Sequence, residues 1–321
     1  MFTTMILIIF FLGCISKQSF PTPSFTEKTS TQTILSNTNN SQTNKTTPFQ
    51  TTGTTTSVAS VLSESEARNT IRSLLRDNAG CQLPCLWKLT PGMSENNYKE
   101  TPFVSMFRQS SNSVINVKDF TDGGSLFLLN IGDLPKKEVI LFSTYLNENR
   151  LVQYSLSSYI TEGDHVIFGD ENFNRDFNYY LLPQILSNYG RPNEIWVATW
   201  QLNPISKSEW NPFTLVLYYK DLGFIIQYKS PAIKKSNDII ACPNEIQIDI
   251  TVWNVKQETK LESIISKGGS SQFNLNPNNM NYFRTIDKGT DYSLDQFYQT
   301  FKDPNNRECI KTPANLWTKD M

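Results

Sequence analysis

The sequence predicts an α+β protein in which a helix followed by an antiparallel β-meander occurs twice, with disulfides linking the parts. Three observations predict it. Strand-like runs of alternating apolar and polar residues come in groups separated by short Gly/Asn/Asp turn signals, without the strand–helix–strand alternation of a parallel sheet. An amphipathic helical stretch precedes each group. Four cysteines follow residue 80, an even number suited to disulfides in an oxidising compartment. The first helix-plus-meander lobe is placed at 63–170 and the second, with a C-terminal extension, at 171–321.

The first lobe opens at Ser63, a helix N-cap followed by Glu64 and Glu66 and by apolar Ala67, Ile71, Leu74 and Leu75. Asn78-Ala79-Gly80 ends that helix. A cysteine loop runs from Cys81 to Ser94, with a turn at Pro91-Gly92. Ser94 can cap a second helix through about Gln109, which Pro102 delays or kinks. Strands are expected over Val114–Phe120, Ser125–Ile131, Glu138–Leu146 and Leu151–Tyr159. In the second lobe, Tyr179–Tyr189 reads as a helix stopped by Gly190. Strands follow over Ile195–Gln201, Phe213–Lys220, Phe224–Ser230 and Glu245–Trp253. Two short helices are expected at Thr259–Ser266 and Leu294–Phe301. The end packs back through Leu316 and Trp317.

The first residues carry a different message. An apolar run, Met5–Leu12, ends at Gly13-Cys14 and is too short to span a bilayer as a helix, which needs about 20 residues. It fits the apolar region of a signal peptide. Phe11-Leu12-Gly13-Cys14 resembles a bacterial lipobox, with Phe11 where Leu is usual and no Lys or Arg before the apolar run. The resemblance implies that residues 1–14 are a signal peptide ending at an acylated Cys14, which anchors the chain to the extracytoplasmic face of the cell membrane. Two or more acyl chains hold a protein stably where one does not. Residues 15–62 are rich in Ser, Thr and Asn and read as a disordered tether. About 48 such residues reach on the order of 40 Å.

Cys81-x-Leu83-Pro84-Cys85-x-Trp87-x-x-Thr90-Pro91-Gly92-x-Ser94, with the later Tyr189-Gly190-x-Pro192-x-Glu194-Ile195, resembles a family of uncharacterised bacterial lipoproteins. That resemblance implies no activity. A helix ending in Gly-x-Pro before a meander is also similar to the small lipoprotein of the outer-membrane barrel-assembly machine and to β-lactamase inhibitor proteins. This likeness is at the level of fold. It implies a protein that binds other proteins and catalyses nothing.

Chemistry-bearing residues are few. With Cys14 assigned to lipid, the other four cysteines allow three connectivities; Cys81–Cys85 with Cys242–Cys309 is preferred. A four-cysteine zinc site is the rival, but only one short pair is present. The three-residue spacing of Cys81 and Cys85 is not that of a thioredoxin-like pair. His165, the only histidine, reads as a surface or hydrogen-bonded residue, since no Ser-His-Asp set or metal-binding motif surrounds it. Glu162 with Asp164, and Asp170 with Glu171, are the nearest paired acids for glycoside hydrolysis, both in polar segments that read as solvated loops. Gly268-Gly269 follows a helix instead of opening one, so no phosphate cradle is expected.

Trp196, Trp200, Trp210, Tyr218, Tyr219 and Tyr228 are expected mainly in core or cross-strand positions. Trp200 and Trp210 flank a polar loop and are the candidate binding pair. With 29 Lys+Arg against 30 Asp+Glu and no basic stripe, nucleic acid is excluded as a partner. The sequence thus predicts an exported lipoprotein without cofactor or metal. Its expected partners are the membrane, through its lipid, and a protein or glycan of the envelope. An envelope polysaccharide hydrolase and a carbohydrate-binding module are the alternatives. The surface is expected to lack a deep polar pocket.

Overall fold

In the computed structural model, residues 61–317 are described except for 111–112, 122, 133–134, 164, 200–211, 244–245 and 257–282, with the backbone alone at 165, 166 and 212. Cys14, Asp164, Trp200, Trp210, the Thr259–Ser266 helix and Gly268-Gly269 all lie outside the described residues.

Helix α1 (Glu64–Asp77) starts where expected. Ser63 Oγ accepts from Glu66 N–H while the Glu66 carboxylate accepts from Ser63 N–H, a reciprocal cap. Its apolar stripe, Ala67, Ile71 and Leu75, is wholly buried. Pro102 breaks the second helix in two: α2 (Glu95–Glu100) is capped by Ser94, and α3 (Pro102–Gln109) carries the proline in its first turn, where no N–H is needed. The first meander follows as β1 (Ile115–Asp119), β2 (Gly124–Asn130), β3 (Lys136–Asn147), β4 (Arg150–Glu162) and the short β5 (His165–Ile167). The second lobe has α4 (Glu171–Asp176), α5 (Leu182–Tyr189), β6 (Glu194–Thr199), β7 (Pro212–Tyr219), β8 (Phe224–Pro231), β9 (Ile233–Lys235), β10 (Asp238–Ala241) and β11 (Gln247–Trp253). The C-terminal part contributes β12 (Arg284–Thr285), the single turn α6 (Ile286–Gly289), α7 (Leu294–Phe301) and β13 (Ile310–Pro313).

The two meanders meet in one antiparallel sheet. Its order is β1-β2-β3-β4-β11-β8-β7-β6-β12, with β5 also on β4. The seam is β4 against β11, with Leu156 opposite Ile250 and Ser157 opposite Asp249. A separate three-stranded sheet, β13-β10-β9, holds the C-terminal segment. Two disulfides are present: Cys81–Cys85, and Cys242–Cys309 just beyond the β10–β13 ladder. All four sulfurs of the rival zinc reading are therefore spent. Trp317 is buried and its Nε1–H donates to Thr312 Oγ1 at 2.9 Å, and Ala314 N–H donates to the Asn237 carbonyl at 2.8 Å, whereas Leu316 is exposed, so of the two residues expected to pack the end back only the indole does so.

One face of the sheet packs on the helices. Phe127 and Phe142 of the first meander meet Trp87 and Phe103, with Trp87 and Phe142 ring centres 5.2 Å apart, and Tyr154 packs on Phe142. Phe224 and Tyr228 of the second meet Tyr189 and the Tyr180 carbonyl. These residues form one continuous core.

Asn78 organises the cysteine loop beneath that core. It is completely buried, in the left-handed conformation (φ 53°) that ends α1. Its Nδ2 donates to the carbonyls of Cys81 and Cys85, both at 2.8 Å. Its Oδ1 accepts from Trp87 N–H and from the Tyr180 hydroxyl, both at 3.0 Å.

Candidate functional site

The unusual face of the sheet is the other one. Strand pleating puts alternate residues there. The registers align Tyr145, Ser143 and Leu141 of β3 with Gln153, Ser155 and Ser157 of β4. These continue into Trp253, Thr251 and Asp249 of β11, then Ile225 and Gln227 of β8, and Tyr218 and Val216 of β7. Alternating polar residues in antiparallel strands ordinarily mark a face open to water. Here they are buried: Gln227 is 0% exposed, Gln153 2% and Thr251 4%.

Part of this row is satisfied internally. Ser143 and Ser155 share a hydrogen bond of 2.7 Å, and Lys229 Nζ lies 2.7 Å from Asp249 Oδ2. Gln153 Nε2, both amide atoms of Gln227 and Thr251 Oγ1 have no hydrogen-bond partner. Leaving a buried polar group unpaired costs about 1–3 kcal/mol. Beside the row, Trp196, Tyr218 and Trp253 form a ladder with ring centres 5.4 and 5.9 Å apart in stacked orientation. Tyr219 and Tyr228 point to the helical side, where the Tyr228 hydroxyl donates to the Tyr180 carbonyl at 2.9 Å.

Three of the acids singled out for hydrolysis, Glu162, Asp170 and Glu171, are among the described residues. Glu162 is exposed at the end of β4, its backbone paired with His165 of β5. Asp170 is the N-cap of α4, accepting from Asn172 and Phe173 N–H at 3.0 and 3.2 Å and pairing with Lys136 at 3.1 Å. Partial burial pushes its carboxyl up, but the Phe173 N–H and Lys136 outweigh this and hold it below its ordinary value. Glu171 is exposed in the first turn of α4, where a negative charge suits the helix dipole. Among the described residues no cluster of three or more His, Cys, Asp or Glu side chains is arranged to hold a metal.

On the helical side a polar pocket of about 580 Å³ lies where α1, the start of β3 and α4 converge. Asp176, 2% exposed, is its anchor: Arg72 Nε lies 3.2 Å from Oδ2, and Arg76 pairs with Oδ1. Glu138 of β3 is 8% exposed, and its Oε1 accepts no hydrogen bond. Burial first, and then the Asp176 carboxylate, push its pKa up to about 7.

This shift fixes a sign. A carboxyl raised in the folded state binds a proton there before the unfolded chain does, so stability falls as pH rises from the ordinary carboxylate value towards 7. Glu138→Gln is expected to stabilise the protein by about 2–3 kcal/mol at pH 8 and by almost nothing at pH 4.5. Urea melts at the two pH values check it; an equal effect at both would contradict the burial described.

Sequence reasoning passed over Gln153, Gln227, Thr251 and Glu138. The available signal was the polar alternation Gln153-Ser155-Ser157 in β4 and Asp249-Thr251 in β11, which become neighbours only through the β4–β11 seam.

No protein-family model, curated protein or solved structure matches this chain. The reading of its function therefore rests on its own residues.

Proposed function

We propose that this chain is an exported lipoprotein, moored through Cys14 and its polar tether, that binds an envelope protein without catalysing a reaction. The observation that carries this reading is the set of partnerless polar atoms, Gln153 Nε2, both amide atoms of Gln227 and Thr251 Oγ1, buried across the seam of the sheet. A chain bound at this face would reach them by displacing what covers them, and by presenting N–H and C=O groups it would then recover the cost of leaving them unpaired. The Trp196–Tyr218–Trp253 ladder, buried in the free chain, would supply flat apolar area beside them once that face is uncovered, the kind of group that anchors protein interfaces. Of the described acids of the hydrolase alternative, Asp170 contributes a cap and an ion pair, and Glu162 and Glu171 are exposed.

Cross-linking on intact cells followed by affinity recovery of the full chain tests the proposal. A specific partner is expected with the wild type. Gln227→Met keeps the length of the side chain and removes both orphaned atoms, so it is expected to raise stability by about 1–3 kcal/mol while abolishing partner recovery. Background recovery with the wild type, or undiminished recovery with the stabilised variant, would sink the reading.

The ladder gives a second reading a footing, because aromatics beside amides, once uncovered, also suit sugar rings. Tryptophan emission that shifts on titration with an envelope glycan, and not with protein partners, would favour it.

A further inference from the structure

The pocket at Glu138 lies on the helical side of the sheet: Glu138 pairs with Ile160 in the set of residues that includes Phe142 and Leu156. It is thus separate from the polar row. Its walls carry both signs. Arg72 and Arg76 come from α1, Lys136 from β3, and Asp170, Arg175 and Asp176 from the start and end of α4. Four cations therefore surround three carboxylates, counting Glu138.

The carboxylates are not equally served. Asp176 holds Arg72 and Arg76, and Asp170 holds Lys136 along with two backbone N–H groups. Glu138 Oε1, at the buried end, has no donor. At the open end Arg175 is 64% exposed, and its Nε lies 3.7 Å from Asp176 Oδ1, beyond hydrogen-bond distance. The pocket thus offers one unfilled acceptor inside and one under-used guanidinium outside.

Ligands of a single charge suit it poorly. An anion drawn to Arg175 would bring negative charge towards Glu138, and a simple cation drawn to Glu138 would pass four positive side chains. A molecule with both charges meets each wall with its complement. We propose that this pocket binds a small zwitterion of the amino-acid or short-peptide class, its ammonium donating to the Glu138 carboxylate and its carboxylate accepting from the Arg175 guanidinium.

The burial that raises the Glu138 pKa to about 7 gives the interaction a further signature. An ammonium beside the carboxylate favours its ionised form, so binding near neutral pH expels the proton that Glu138 carries in part of the free molecules. Affinity should fall several-fold from pH 7 to pH 6, and the measured heat should depend on the buffer that takes up the proton.

Isothermal titration of the full chain with glycine, diglycine and triglycine tests the proposal. These probes differ only in the separation of their charges, so the best of them measures the span from Glu138 to Arg175. At least one is expected to bind, more tightly than ethylamine or acetate by tenfold or more. Glu138→Gln and Arg175→Gln should each weaken it by at least tenfold. Arg175 is exposed and Glu138→Gln relieves a buried charge, so both variants should melt no lower than the wild type. No heat from any of the three, unchanged affinity in Glu138→Gln, or equal binding of ethylamine or acetate would overturn it.

Discussion

Asn78→Ala is expected to cost about 4 kcal/mol or more, the largest effect of any single polar substitution proposed for this protein. The side chain closes four hydrogen bonds at once, with the carbonyls of Cys81 and Cys85, the N–H of Trp87 and the hydroxyl of Tyr180. Each buried group left without its partner costs about 1–3 kcal/mol, with some recovery by relaxation. Alanine also tolerates the left-handed backbone at this position less well than asparagine does, by roughly 1 kcal/mol. Asn78→Asp separates the two contributions. It keeps the acceptor and the backbone preference but sets a carboxylate against two carbonyls, so it should be as damaging as alanine. Chemical denaturation with an unchanged m-value measures both. A loss under about 2 kcal/mol in each would mean that the loop holds its shape without this amide.

The second large effect belongs to the Cys242–Cys309 bridge. It closes a loop of 67 residues, for which the chain-entropy account gives roughly 4 kcal/mol. The Cys81–Cys85 bridge spans 4 positions, for which the same account gives roughly 2 kcal/mol. The double replacement Cys242→Ala/Cys309→Ala should therefore lower stability about twice as much as the matching double replacement at Cys81 and Cys85. The loss should appear first at the small sheet, since the bridge sits where β10 and β13 leave their ladder at Ala241 and Ile310. Hydrogen exchange at Ile239 and Thr312 reports it locally. Protection unchanged at these amides, with a global loss below about 1 kcal/mol, would show that the strands pair without the bridge.

Local chemistry made much of this fold legible. Ser63 and Glu66 spelled a reciprocal cap, Pro102 marked the break between α2 and α3, and Leu294–Phe301 carried its own start at Ser293. The preferred cysteine pairs are the observed ones. Helix α4 was less visible because Asp170 and Glu171 look like loop acids until the first is recognised as a cap. The short β9, β10 and β12 owe their form to partners far along the chain, so no local pattern announces them. The candidate site was the least legible part. Gln153 and Gln227 obey the period of a half-exposed strand, and only the joining of two distant meanders buries them. Glu138 likewise sits in an ordinary strand run, and its neighbours Arg72 and Asp176 arrive from helices on either side in sequence.

The adjacency of β4 and β11 also sets a timetable for biogenesis. About ninety residues separate the paired positions, so at roughly 5–20 residues per second the ribosome finishes β4 some seconds before its mate exists. During that interval one margin of the nascent half-molecule offers unsaturated amides and carbonyls to any other chain nearby. Its yield in a cell should accordingly depend on helpers that shield nascent chains, far more than its finished stability would suggest.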